Sequence, residues 1–193
     1  MTYLETDRLI LRRWTDADRF AFAAMNADPE VMRYFPSTLN RVESDKLYDK
    51  AVLLTQKDGF CFSPVEDKET GEFLGFVGLS VPRFEPELPF DPCVEVGWRL
   101  IRKAWGQGLA TEAARAWIGF GFETLKLEEI VSFTTITNLP SQRVMQRLGM
   151  IRSMADDFHH PALPPDHPLG PHVLYRLNRS DWLEHRQRDQ SIL

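Results

Sequence analysis

The chain has 193 residues, of which 43 % are hydrophobic and 26 % charged, the size and balance of one globular domain with a proper core. Its net charge of −5 argues against a general nucleic-acid binder, which carries a basic surface. Two cysteines, Cys61 and Cys93, are too few for a disulfide scaffold and, being isolated, weigh against a metal centre. The opening stretch MTYLETDRLILRRW mixes charged with apolar residues, without a signal-peptide core or a run near the ~20 apolar residues of a membrane span. The expectation is a cytoplasmic protein of one domain, residues 1–193, with no membrane partner.

Taken in order, Arg8 to Trp14 is rich in β-formers and predicts a first strand over about residues 7–13. Thr15 or Asp16 then caps a helix carrying Phe20, Ala21, Ala23, Ala24 and Met25, ended by Asp28-Pro29. A short helical piece follows around Glu30 to Tyr34, and Leu47, Ala51 and Leu54 mark the inner face of a helix from Val42 to Gln56. Phe60 to Glu66 and Glu72 to Val81 read as a hairpin around Asp67 to Gly71. Gly75 and Gly78, inside its second strand, suggest a bulge or a close backbone approach. Pro82 to Pro92 is a proline-broken loop.

Val94 to Leu125 then reads as strand, glycine loop and helix. In the strand, Val94, Val96, Trp98 and Leu100 share one face, and Glu95, Gly97 and Arg99 the other. The loop, Lys103-Ala104-Trp105-Gly106-Gln107-Gly108, leads into a helix opening with Leu109, Ala110 and Thr111. Glycines between a strand and a helix leave backbone N–H groups at a helix N-terminus, where a phosphate is readily held. Lys103 and Gln107 could add donors. This is neither a Walker loop nor a dinucleotide fingerprint, since Lys-Ser or Lys-Thr and a third glycine are both missing.

Glu129 to Thr135 is the next strand, Ser141 to Leu148 a short helix stopped at Gly149, and Met150 to Met154 a further strand. Asp156 to Pro171 is rich in proline and histidine and too broken for a regular element, more suited to facing a substrate than to binding metal. His172 to Leu177 closes the sheet and Asp181 to about Arg188 is a last helix. The order predicts an α+β (α/β layered) domain with a mixed sheet and flanking helices.

The loop resembles the acetyl-CoA pyrophosphate loop of the GNAT N-acetyltransferases, Gln/Arg-x-x-Gly-x-Gly/Ala, with Lys103 in place of the first residue. The likeness extends to Leu4 through Arg12, to Glu95-Val96-Gly97-Trp98, to Trp105 through Ala113, and to Asn138-x-x-Ser141-x-Arg143-Val144-Met145-x-x-Leu148-Gly149-Met150. In order and spacing it is similar to the branch that includes ribosomal-protein-alanine N-acetyltransferases. The resemblance implies a mostly antiparallel sheet splayed at the cofactor strand. It also implies acetyl-CoA as co-substrate and direct attack by a neutral amine.

Carried over by position, backbone groups of Trp98 and Leu100 would bind the pantetheine arm, and N–H groups from Trp105 through Ala110, with Thr111, the pyrophosphate. Asn138 would meet the pantetheine amides, Ser141 the thioester sulfur, and Arg143 the nucleotide end. A helix-capping role suits Asn138 and Ser141 equally. Glu95 is the candidate base, against the plain alternative of a solvent-side or salt-bridged glutamate, Arg99 two residues along being one available partner. The tyrosine acid common in the superfamily has no counterpart between Asn138 and Gly149, which leaves Ser141 as substitute. The implied acceptor is a protein or peptide α-amine. A small amine (polyamine, amino sugar or amino acid) and a CoA-binding member without catalysis both stay open, as does a homodimer.

Overall fold

The computed structural model describes residues 2–190, which divide into two compact units, residues 2–80 with 96–117 and residues 81–95 with 118–190. The architecture is a mixed, mostly antiparallel sheet flanked by helices. Among the described residues no helix is long and apolar enough to cross a membrane.

The first unit opens with two strands where one was expected. β1 (Thr2–Glu5) and β2 (Leu9–Arg12) pair antiparallel, because polar Thr6-Asp7 turns the chain and the Thr6 N–H donates to Leu9 O at 3.0 Å. α1 (Asp18–Ala27) follows, with Ala17 rather than Thr15 or Asp16 at its cap. The buried Asp18 carboxylate instead accepts from the Thr15 N–H at 2.8 Å and pairs with Arg12. The helix expected over Glu30 to Tyr34 does not form. Pro29 and Pro36 bracket a run of turns closed by isolated bonds, from Met32 N–H to Asp28 O and from Phe35 N–H to Met32 O.

α2 (Arg41–Asp58) starts on a complete capping box, Asn40 with Glu43, and ends on Gly59 at φ 81°. β3 (Ser63–Asp67) pairs with β2 and with β4 (Phe73–Ser80), which is buried along its whole length. Phe22, Met25, Val31, Tyr48, Phe73 and Phe76 form the core under α1 and α2, with the Trp14 ring 4.9 Å from Phe22. Both interior glycines of β4 mark close approaches. A Cβ on Gly75 would overlap the Arg99 carbonyl, and one on Gly78 would lie 2.6 Å from Cys61 O. Gly75 also sits opposite Val65, where the β3–β4 register shifts.

β5 (Glu95–Leu100) carries its residues from Val96 onward in the first unit. A 3-10 turn, Arg102–Ala104, occupies the start of the glycine loop and leads to α3 (Leu109–Glu123).

In the second unit β6 (Glu129–Thr135) runs antiparallel to the strand Pro171–Asn178 in unbroken register from Glu129↔Asn178 to Thr135↔His172. Glu95 lies parallel to β6 at one position, opposite Val131. Between these two strands in the chain come α4 (Leu139–Arg147), which begins two residues before the predicted start, and two short strands. β7 (Ile151–Arg152), shorter than expected, pairs with Pro171–Asn178, which is β9. So does β8 (Phe158–His159), which lies in the stretch expected to hold no regular element. What fixes β8 is aromatic packing: the Phe133 ring lies 5.8 Å from both Phe90 and Phe158. α5 (Arg179–Gln190) closes the chain.

Candidate active site

The glycine loop adopts the conformation that exposes its backbone. Gly106 and Gly108 take φ of 73° and 77°, a region closed to most side chains. Ala104 and Trp105 donate their N–H groups to Ile101 and Arg102, and Glu112 donates to Gly108 O. Between them, the N–H groups of Gly106 through Thr111 have no partner among the described residues. They form a run of donors at the N-terminus of α3, with the helix dipole behind them. The Thr111 hydroxyl is also buried without a partner. A buried orphan hydroxyl beside a row of free N–H groups fits an anion with several acceptor oxygens.

The two side chains expected to add donors are engaged elsewhere. Lys103 Nζ pairs with Glu72, and Gln107 Nε2 turns back to Lys103 O at 2.6 Å. The cradle is therefore made of backbone groups. It is braced from the N-terminus of the chain. Arg8 donates from Nη1 to Gln107 O at 3.1 Å and from Nε to Glu112 Oε2 at 2.7 Å, while the Thr6 hydroxyl donates to Glu112 Oε1 at 2.6 Å. Burial opposes the charge on Glu112, but the bonds from Thr6 and Arg8 outweigh it and hold the carboxyl below its ordinary range. Sequence reasoning missed this brace, since nothing local couples residues 104 apart.

Along β5, the Ile101 N–H donates to Leu74 O, so by strand alternation the backbone groups of Trp98 and Leu100 turn to the edge away from β4. Leu100 O accepts the Trp105 indole N–H at 2.8 Å, tying the loop to that edge. Arg99, on the alternate face, meets no carboxylate among the described residues.

Glu95, Asn138, Ser141 and Arg143 belong to the second unit. Glu95 is half-buried and has no hydrogen bond or ion pair among the described residues. Burial alone pushes its carboxyl up to about 8. Asn138 caps α4: its Oδ1 accepts the Ser141 N–H at 3.3 Å. Its Nδ2 donates to Thr134 Oγ1 at 2.9 Å and to Ser141 Oγ at 3.0 Å. Because Ser141 Oγ accepts from Asn138, its own proton remains available for donation. Arg143 is exposed on the same helix. His160 and His172 pack with Phe133 and Phe158, and burial, the larger cause for each, lowers both, His160 to about 4. Among the described residues no group of metal-ligating side chains assembles.

The family described as Acetyltransferase (GNAT) domain matches residues 8–151. The chain belongs to the GNAT family. It is an acetyl-CoA-dependent N-acetyltransferase acting on amines. It is 32 % identical over 150 residues to YkkB of Bacillus subtilis strain 168, covering 77 % of this chain and 85 % of that protein. It is 35 % identical over 190 residues to the FsC-acetyl coenzyme A-N(2)-transacetylase of Aspergillus fumigatus, covering 93 % and 77 %. Its fold superposes on the acetyltransferase from Agrobacterium tumefaciens strain C58 with a TM-score of 0.73 and 27 % identity, over 91 % and 93 % of the two chains.

Proposed function

We propose that the chain, acting as one catalytic domain, transfers the acetyl group of acetyl-CoA to an α-amine, that of a protein or peptide N-terminus. The observation that carries this reading is the run of unpartnered N–H groups from Gly106 to Thr111 with the orphan Thr111 hydroxyl, a match for a pyrophosphate. The backbone edge at Trp98 and Leu100 that turns away from β4 receives the amide groups of the pantetheine arm as an added strand would, with the Leu100 carbonyl already accepting one bond from Trp105. Asn138 spends both N–H donors on Thr134 and Ser141 but keeps an Oδ1 lone pair for an amide N–H. Arg143, exposed on α4, serves the nucleotide phosphates. A nitrogen acceptor is in keeping with the name of the Aspergillus relative, an acetyl coenzyme A-N(2)-transacetylase.

Acetyl-CoA, when bound, supplies an activated acetyl thioester. The protein's own part is proton management. An acceptor amine arrives as an ammonium and must lose a proton before it can act as a nucleophile. Glu95, unpaired and with a proton affinity matched to neutral pH, takes that proton directly or through one water. Ser141, its oxygen already held by Asn138, presents its proton where a leaving thiolate needs one.

Calorimetric titration with acetyl-CoA, combined with CoA release across peptides and small amines, tests the assignment. Gly106→Trp fills the open space before the loop and is expected to weaken acetyl-CoA binding at least tenfold, while the left-handed φ costs roughly 1–2 kcal/mol of stability. Unchanged affinity in that variant sinks the cradle. Binding heat without turnover of any amine marks a CoA-binding member that does no chemistry. Arg8→Ala releases Gln107 O and leaves Glu112 uncompensated beside the phosphate site. It is expected to weaken acetyl-CoA binding about tenfold, an effect that Glu112→Gln introduced alongside it partly reverses.

A further inference from the structure

Arg99 stands out among the half-buried cations of the first unit because no carboxylate among the described residues balances it. Arg12 meets Asp18 and Glu66. Among the described residues the Arg99 guanidinium meets only a neutral oxygen, donating from Nη1 to Asn26 Oδ1 at 2.6 Å. That contact is fixed from behind, since buried Asn26 donates from Nδ2 to the Ser44 hydroxyl at 2.9 Å, which turns its oxygen to the arginine. The guanidinium carbon lies 4.0 Å from the centre of the Phe35 ring and 5.3 Å from that of Phe76. Nε is sealed from solvent with no hydrogen-bond partner, and Nη2 has none among the described residues.

Nε and Nη2 lie on one edge of the guanidinium plane. They form the two-pronged donor that fits a carboxylate. Here the prong is oriented by Asn26 and clamped by a phenyl ring, yet empty of any acidic side chain. Burial depresses the guanidinium to about 10, the cost of leaving such a charge uncompensated. A cation whose Nε is sealed from water is ordinarily paired within the protein, so the lack of an anion among the described residues points to a ligand. The ring stacked on the face of the guanidinium, Phe35, is 38 % exposed and stands on the turn-rich run after α1, so one wall beside this edge is a surface side chain. By strand alternation Arg99 lies on the face of β5 shared with Gly97, opposite the one that carries Trp98.

We propose that Arg99 is a specificity residue that receives a carboxylate of the acceptor, so that the amine acetylated belongs to an acid-bearing molecule, an amino acid or a short peptide with an acidic group, and not to a polyamine. This rests on the acetyltransferase reading and narrows its acceptor. The planar two-pronged edge favours a carboxylate, and the phenyl rings beside it favour a compact ligand over a long polycation.

The test uses the full chain and matched acceptors: free L-amino acids against their amides, and peptides with Asp or Glu at the second or third position against Asn or Gln. Spermidine is the counter-example. The carboxylate member of each pair turned over is expected to have a kcat/KM at least tenfold higher, expressed mainly in KM. Arg99→Gln and Arg99→Lys are expected to abolish that preference while leaving the KM for acetyl-CoA within twofold. A thermal shift with the N-acetylated acid, absent with its amide and absent in Arg99→Gln, supplies a readout that does not depend on turnover. Equal rates for acid and amide overturn the proposal, as does turnover of spermidine with no carboxylate-bearing amine accepted. So does an Arg99→Lys variant that keeps the preference. Acetyl-CoA binding, measured separately, tells these failures from failure of the acetyltransferase reading itself.

Discussion

Replacing Glu95 by Gln is expected to lower kcat/KM by roughly 10²–10³-fold, the usual contribution of a positioned general base. In the native protein kcat/KM should rise with pH and level off above about 8, where burial has placed the Glu95 carboxyl. That dependence should vanish in the variant. Stability offers an independent check with a defined sign. The folded carboxyl titrates near 8, whereas in the unfolded chain it titrates near the ordinary value of about 4.3. Between those values the folded state holds a proton that the unfolded state has released, so the native fold loses stability as pH rises through that window. Gln carries no such penalty. The variant should therefore melt at the native temperature near pH 4 and above it near pH 9, by roughly 5 °C once partial exposure is allowed for. A glutamate kept for structure would give the opposite result, lower stability with unchanged turnover. A variant with native activity and a native pH profile would remove Glu95 from the mechanism.

Much of this site could be read from the sequence because its parts are local. A glycine pair before a helix permits left-handed φ and with it a row of free N–H groups, and Gly106 and Gly108 adopt that conformation. The same holds for β6, whose limits match the β-rich run from Glu129 to Thr135, and for Gly75 and Gly78, whose close approaches were expected inside a strand. What escaped is set by distant partners. Glu30 to Tyr34 has helical composition, yet the prolines on either side and the packing of Val31 and Met32 hold it in turns. Phe158-His159 looks irregular, and becomes a strand because β9 offers it an edge and Phe133 a ring to pack on. Lys103 was expected to face a phosphate, but Glu72, from the strand hairpin, claims its ammonium. Arg99 reads as an ordinary strand arginine; what gives it meaning is that no carboxylate among the described residues meets it, and no sequence window contains that information.

The largest loss of stability should come from Gly75→Ala, about 4 kcal/mol or more against the 5–15 kcal/mol of an ordinary fold. Two effects combine at this residue. Its φ of 130° lies where a Cβ is strained regardless of surroundings, a cost on the order of 1–3 kcal/mol. The added Cβ would also lie 2.7 Å from Leu100 Cα and overlap the Arg99 carbonyl. Both are backbone atoms of β5, which no rotamer change can move. Gly71 supplies the control, since it has φ 72° and a Cβ there would meet nothing within 4 Å, so Gly71→Ala should show strain without the clash. Urea midpoints for the two variants separate the terms, with Gly75→Ala falling at least twice as far. Relief of the overlap would push β5 off β4, and with it the Trp98 and Leu100 backbone groups that turn away from β4. Acetyl-CoA affinity in the folded fraction of Gly75→Ala should therefore fall too, although Gly75 offers the cofactor no side chain. A Gly75→Ala protein with the urea midpoint of Gly71→Ala and native acetyl-CoA affinity would show that β4 and β5 can part without cost, and that the strand edge is not held by this contact.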